Sequence, residues 1–137
     1  MADNKAVVRR MFDEIINQGR LELVDELFDP DFVSVTPQGR LDRKGFRDYV
    51  AAWRAGFPDI HCEVADVIAE GDGVAWSIRA KGTHSGNFMG MPATGRQVDF
   101  DSLNIGTFRN GRAFKHTVMM DIPKMMSQLG VASDGGR

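Results

Sequence analysis

The chain has 137 residues, a formal net charge of -2 at pH 7 and 42% hydrophobic residues. This length suits one domain with its own core, and the balanced charge offers no basic surface for nucleic acid or an anionic membrane. Cys62 is the only cysteine, which excludes an internal disulfide and favours a reducing, cytoplasmic location. The sequence has no apolar run near the roughly 18 residues that a membrane helix needs.

The first part of the chain predicts three helices and one short strand. Apolar residues from Val7 to Ile16 recur at helical spacing, and the aromatic residues Phe46, Tyr49 and Trp53 do the same further on. Glycine and proline mark where these helices end. The predicted elements are a helix ending at Gly19, a helix ending before Pro30, a strand at 32–35 and a helix from Asp42 to Gly56.

From Ile60 onward the apolar period changes toward two, which predicts long antiparallel strands. Asn110-Gly111 is the strongest hairpin signal in the chain. The predicted strands are 60–70, 74–83, 96–109 and 112–122, followed by a short helix around 124–129. Helices followed by hairpins indicate one α+β domain at 1–130, with the N-terminal helices packed on the concave face of a curved antiparallel sheet. We expect residues 131–137 to be a flexible tail.

Several motifs, in order along the chain, resemble the SnoaL-like polyketide cyclases of the nuclear transport factor 2-like superfamily. They are residues 57–72, 82–86, 91–96 and 110–121. The resemblance implies a conical α+β barrel with a deep pocket, commonly dimeric through the outer face of its sheet. It also implies a cofactor-free and metal-free aldol ring closure, with an aspartate matching Asp121 as the acid/base. Val35 and Thr117 stand where these cyclases usually carry a histidine and a tryptophan.

Asp121 is the leading candidate for catalysis. Strand alternation puts it on one face with Thr117 and Met119 and puts His116 on the opposite face. If its face lines the pocket, apolar neighbours would desolvate the carboxylate and raise its pKa, as a group that exchanges protons with a carbon acid requires. The alternative is that Asp121 caps the short helix that follows Pro123.

Other side chains are candidates for the same pocket. His84, at the start of a glycine-rich connector, could polarise a carbonyl or hold the connector in shape. His116 is given no catalytic role. The substrate-binding candidates are Trp53, Tyr49, Phe88, Met89, Met119 and Thr117. His61 and Glu63 share a strand face, but no metal-ligand spacing accompanies them, so no metal site is predicted.

The leading hypothesis is therefore a polyketide cyclase-type enzyme that closes a ring on a hydrophobic carbonyl substrate by acid/base catalysis. An isomerase or dehydratase that uses the same pocket is an alternative, and so is a non-catalytic module that binds a small molecule. We expect a homodimer, because strands 74–83 and 112–122 carry apolar residues on both faces and helices can cover only one.

Overall fold

The computed structural model describes residues 3–131, and the predicted tail lies mostly outside this range. The elements, in chain order, are α1 (Asn4–Arg10), a π-helical continuation (Met11–Ile16), α2 (Leu23–Leu27), β1 (Phe28–Thr36), β2 (Gly39–Leu41), α3 (Arg43–Gly56), β3 (His61–Glu70), β4 (Gly73–Thr83), β5 (Gln97–Arg109), β6 (Arg112–Met120) and α4 (Ile122–Gln128). The α+β fold class is confirmed. No helix in the described range is long and apolar enough to cross a bilayer.

The six strands form one curved sheet in the order β2-β1-β6-β5-β4-β3. The strands from β3 to β6 pair antiparallel as hairpin neighbours, and the long β4–β5 pairing keeps its register from Gly73↔Thr107 to Thr83↔Gln97. β1 joins the other side of β6 in parallel. Because β2 and β3 remain at the edges, the sheet is not closed into a barrel.

The strand alternation of β5 and β6 separates a buried inner face from an outer face. Ser102, Asn104, His116 and Val118 are buried, whereas Leu103, Ile105 and Met119 are exposed. Phe12 and Ile15 of the N-terminal helix and Phe46, Val50 and Trp53 of α3 cover the inner face and form the core together with its apolar residues. Each buried side chain of this size contributes about 1.5–3 kcal/mol to folding.

Asn17 and Arg54 fix the first helix relative to the sheet and to α3. The side-chain amide of Asn17 donates to the Cys62 carbonyl at 2.9 Å and accepts from the Cys62 N–H at 2.7 Å, so it continues the hydrogen bonding of the β3 edge. Arg54 donates to the carbonyls of Ile16 and Asn17 at 2.8 and 2.9 Å. These bonds satisfy carbonyl groups at the helix end that would otherwise lack partners.

Candidate functional site

A cavity lies between the helices and the inner face of the sheet. Its free volume is about 70 Å³ in this structure. The lining residues are Phe12, Ile16, Phe46, Tyr49, Val50, Trp53, Ile60, Cys62, Ile78, Ala80, Phe100, Ser102, Asn104, His116, Val118 and Met120. Ile16, Tyr49 and Met120 are the partly exposed members of this set. A larger ligand therefore requires side chains such as the flexible Met120 to move.

Two hydrogen-bond donors of α3, one turn apart, lie in the wall of this cavity. Within residues 3–131, the buried indole N–H of Trp53 forms no hydrogen bond of normal length and angle. The Tyr49 hydroxyl makes a long contact of 3.9 Å with the Met120 sulfur. Burial raises the pKa of Tyr49 to about 12, and the Trp53 N–H, which is directed toward the Tyr49 oxygen without completing a normal hydrogen bond, acts in the opposite direction. The two donors therefore lie near each other, and an unpaired buried donor costs about 1–3 kcal/mol.

A chain of four buried polar side chains crosses the sheet wall of the cavity. Ser34 Oγ lies 2.8 Å from His116 Nδ1, and His116 Nε2 lies 2.8 Å from Asn104 Oδ1. The Asn104 amide nitrogen donates to Ser102 Oγ at 3.1 Å. The His116 ring also stacks on Trp76, with ring centroids 5.5 Å apart. These contacts hold the imidazole and the amide in one orientation.

The titratable side chains that line the cavity are uncharged near neutral pH. Burial raises the pKa of the Cys62 thiol to about 12, as it does for the Tyr49 hydroxyl. It lowers the pKa of His116 to about 4, because a buried imidazolium loses its hydration. None of the lining residues is a carboxylate. The cavity therefore suits a neutral, largely apolar ligand that bears hydrogen-bond acceptors.

Asp121 lies outside this lining, and the expected desolvation of its carboxylate is wrong. The residue is exposed, and its Oδ1 accepts a hydrogen bond of 3.2 Å from the Lys124 N–H, so it is the N-cap of α4. The face of β6 that carries His116 and Val118 lines the cavity. Met119, on the face that alternation shares with Asp121, is 70% exposed. Helix capping is thus the observed contact of Asp121, and its role as acid/base stays a prediction.

Replacement of Asp121 separates these two roles. Asparagine caps helices as well as aspartate does, so, if helix capping is the whole role of Asp121, Asp121→Asn should leave both ligand turnover and the unfolding free energy nearly unchanged. Asp121→Ala should lower the unfolding free energy by about 1 kcal/mol through loss of the cap. Denaturant titration and turnover of both variants check this. A fall in turnover of about 10²-fold in Asp121→Asn would instead support the acid/base role.

His84 also lies outside the cavity lining, although it is fully buried. Its Nδ1 accepts from the Thr94 N–H at 3.3 Å and lies 3.0 Å from Thr94 Oγ1, and its ring stacks on Phe57. The backbone around it pairs with Arg96 and Gly95. These contacts favour the structural alternative, in which His84 holds the connector in shape.

The predicted substrate-binding residues divide into two groups. Trp53 and Tyr49 line the cavity. Phe88 is buried behind Trp53, with ring centroids 4.5 Å apart, and is absent from the lining. Met89 is 58% exposed, and Thr117 lies on the β6 face opposite to His116. Thr117, Met119 and Met89 are thus absent from the cavity lining, and their substrate-binding role stays a prediction.

Sequence reasoning missed the polar chain on the sheet wall. The four residues lie on three strands, and only the pairing of β1, β6 and β5 brings them together: Ser34 is on β1, Ser102 and Asn104 are on β5, and His116 is on β6. The one available signal was the pair of polar residues Ser102 and Asn104 at alternate positions of β5.

Within residues 3–131, no three His, Cys, Asp or Glu side chains lie close enough together to form a metal site.

Comparison with known proteins places this fold and cavity in a family. Residues 6–129 match the model of the SnoaL-like polyketide cyclases. The chain is 34% identical to IdmH of Streptomyces antibioticus, a candidate polyketide cyclase, over 94% of this chain and 99% of that one, with a TM-score of 0.83.

Two further structures are similar. A candidate SnoaL-like polyketide cyclase of Jannaschia sp. CCS1 is 26% identical over 92% of this chain and 90% of that one, with a TM-score of 0.85. AclR of Streptomyces galilaeus, a candidate hydroxylase, is 26% identical over 93% and 95%, with a TM-score of 0.82. The search of curated proteins found no match. The chain belongs to the SnoaL-like polyketide cyclase family.

Proposed function

We propose that the chain binds a hydrophobic carbonyl compound in the cavity and closes a ring on it by an aldol reaction. The observation that carries this proposal is the unpartnered, buried indole N–H of Trp53 beside the Tyr49 hydroxyl. Donors that are already desolvated and fixed can stabilise the negative charge that develops on a carbonyl oxygen. Family membership and the apolar lining support the same class of substrate.

The proposed reaction needs no carboxylate in the cavity if the substrate contains a 1,3-dicarbonyl unit that is already an enol. The enol carbon forms a bond to the carbonyl carbon, and the carbonyl π electrons move to the oxygen. Trp53 and Tyr49 donate hydrogen bonds to that oxygen as its charge develops. The enol O–H proton passes to the new alkoxide, so the enol oxygen becomes a carbonyl, the alkoxide becomes a hydroxyl, and the reaction is an isomerisation with no net proton change.

Ligand binding tests the donor role of Trp53. Butyrophenone and butylbenzene share a carbon skeleton and differ by one carbonyl oxygen. Because butylbenzene is the more hydrophobic compound, the quantity measured is the ratio of the two dissociation constants in each protein. We expect this ratio to favour butyrophenone about fivefold more in the wild type than in Trp53→Phe, since one buried hydrogen bond contributes about 1 kcal/mol. Calorimetry or fluorescence titration measures the ratio, and an equal ratio in the variant would contradict the proposal.

A non-catalytic binding module is the second candidate. The absence of any carboxylate among the residues that line the cavity favours it over an isomerase or dehydratase, because both of these reactions need a base near the carbon acid. Tight binding of ketones without any turnover of enolised diketones would support the binding module.

The cytoplasmic location of the protein stays a prediction.

We also infer a homodimer through the outer face of the sheet. Four large apolar side chains lie there on neighbouring strands with exposed fractions of 59–71%: Ile68, Leu103, Ile105 and Met119. Leu103 pairs directly with Met119, and Ile105 and Ile68 flank Ala75. A two-fold contact brings this patch against a copy of itself and removes both from water.

Light scattering at micromolar concentration should give the mass of a dimer. Leu103→Glu places a charge in the patch, and the variant should be a monomer with an unchanged circular dichroism spectrum. Lys44→Glu, on an exposed position of α3 away from the sheet, serves as the control and should stay dimeric. A wild-type chain that is monomeric would contradict this inference.

A further inference from the structure

The polar chain of the sheet wall has a defined hydrogen-bond direction. The Asn104 carbonyl oxygen can only accept, so the His116 nitrogen that faces it, Nε2, carries the hydrogen. The neutral ring then leaves Nδ1 as an acceptor, and the Ser34 hydroxyl donates to it. At the other end, the Asn104 amide nitrogen donates to Ser102 Oγ.

Within residues 3–131, this direction leaves two hydrogens without an acceptor at the cavity, the Ser102 O–H and the second N–H of the Asn104 amide, and the hydroxyl is the one that can rotate toward a ligand. Ser102 Oγ already accepts from Asn104, and within residues 3–131 its own O–H donates to no protein group. Ser102 is only 7% exposed and lines the cavity. A buried hydroxyl hydrogen without an acceptor is unfavourable, so a ligand oxygen placed there would be bound tightly.

We propose that the Ser102 hydroxyl is a second ligand-binding donor, which selects substrates that carry two carbonyl oxygens. Trp53 and Tyr49 on α3 bind one oxygen, and Ser102 on β5 binds the other from the opposite wall. Asn104 and His116 are positioning residues, because they direct the Ser102 hydrogen away from the strand and into the cavity. The 1,3-dicarbonyl class of compounds has this pair of acceptors on a short skeleton.

Few groups on this wall compete for the Ser102 hydrogen. The strand register puts Ile78 of β4 and Met120 of β6 on either side of Ser102, and both side chains are apolar. Cys62 is a neutral thiol and therefore a weak partner at best. This inference rests on the proposed function, since it assumes that the first oxygen is bound by the donors of α3.

Benzoylacetone and butyrophenone test the second donor, because they share a skeleton and differ by one carbonyl. The ratio of their dissociation constants is measured by calorimetry for the wild type, Ser102→Ala and Ser102→Thr. Comparing the same ratio between proteins cancels the different solubilities of the two compounds. We expect the ratio to favour benzoylacetone about tenfold more in the wild type than in Ser102→Ala. Ser102→Thr keeps the hydroxyl and should keep the preference for benzoylacetone, even if the added methyl group weakens the binding of both compounds.

The outcomes separate this inference from the function on which it rests. An unchanged ratio of dissociation constants in Ser102→Ala overturns the role of Ser102. The proposed role of the donors of α3 is retained in that case if the wild type still shows its preference for butyrophenone over butylbenzene relative to Trp53→Phe. If Ser102→Ala and Ser102→Thr both lose the preference for benzoylacetone, the role of Ser102 is also overturned. The preference would then depend on the volume of the side chain and not on its hydroxyl group. Failure of the wild type to bind any of the three compounds overturns both proposals.

Discussion

Tyr49→Phe is expected to lower the rate of ring closure by about 10²-fold. The reason is that the hydroxyl donates to an oxygen whose negative charge grows only as the new bond forms, so its loss affects the transition state more than the bound substrate. The high pKa of Tyr49, raised by burial to about 12, keeps the hydroxyl protonated and able to donate at every pH where the fold is stable.

The assay uses a synthetic substrate in which a phenyl ketone is joined by three methylene groups to one carbonyl carbon of a 1,3-diketone, so that attack by the carbon between the two diketone carbonyls closes a six-membered ring. The turnover number should fall while the Michaelis constant changes little. The Tyr49 hydroxyl has only the long contact with Met120 in the structure, so the unfolding free energy should stay close to that of the wild type. Equal turnover in both proteins would contradict the donor role.

Stability is expected to fall as the pH drops below about 6.5, because of His116. Burial depresses its folded-state pKa to about 4 from 6.5. Between these values the unfolded chain binds a proton that the folded chain does not, so the free energy of unfolding decreases with decreasing pH. One pH unit of such a difference corresponds to about 1.4 kcal/mol. The full loss by pH 4 is therefore about 3 kcal/mol.

Urea titrations of the wild type and His116→Gln between pH 6.5 and 5 isolate this effect. Carboxylates such as Asp29, whose pKa is lowered by a hydrogen bond from Arg109, lose their contribution only at lower pH. The unfolding free energy of the variant should depend less steeply on pH than that of the wild type, whatever its absolute value. If the variant does not fold, the ring of His116 is titrated by NMR in the wild type, and a charged ring at pH 6 would contradict the account.

The helices and hairpins were predictable because local signals determine them. The aromatic spacing of α3 and the Asn110-Gly111 turn both gave elements close to the observed ones. The strand predicted at 32–35 was too short, since the helix before it was predicted to extend to Pro30, whereas β1 begins at Phe28. In the structure Pro30 lies where the β1–β6 register shifts and where β2 does not reach, so its missing N–H is tolerated.

The sequence left open which face of β6 lines the cavity, for a physical reason. Met119 and Met120 are adjacent methionines, so both faces of the strand look apolar, and alternation alone cannot tell which is buried. The outer face is apolar because of Leu103, Ile105 and Met119, which the dimer proposal uses. Alternation puts Asp121 on the outer face with Met119, whereas His116, for which no catalytic role was predicted, lies in the cavity wall.

The indole N–H resonances of the protein test the central claim most directly. The chain has two tryptophans, and in the described part of the chain, residues 3–131, neither of their buried N–H groups forms a hydrogen bond, but only Trp53 lines the cavity. The spectrum of Trp53→Phe assigns the two signals in a nitrogen-15 correlation experiment. Addition of butyrophenone should move the Trp53 proton signal downfield and leave Trp76 nearly unchanged, and butylbenzene should not produce this shift. A Trp53 signal that does not move with the ketone, or that moves equally with the hydrocarbon, would contradict a carbonyl oxygen bound by this donor.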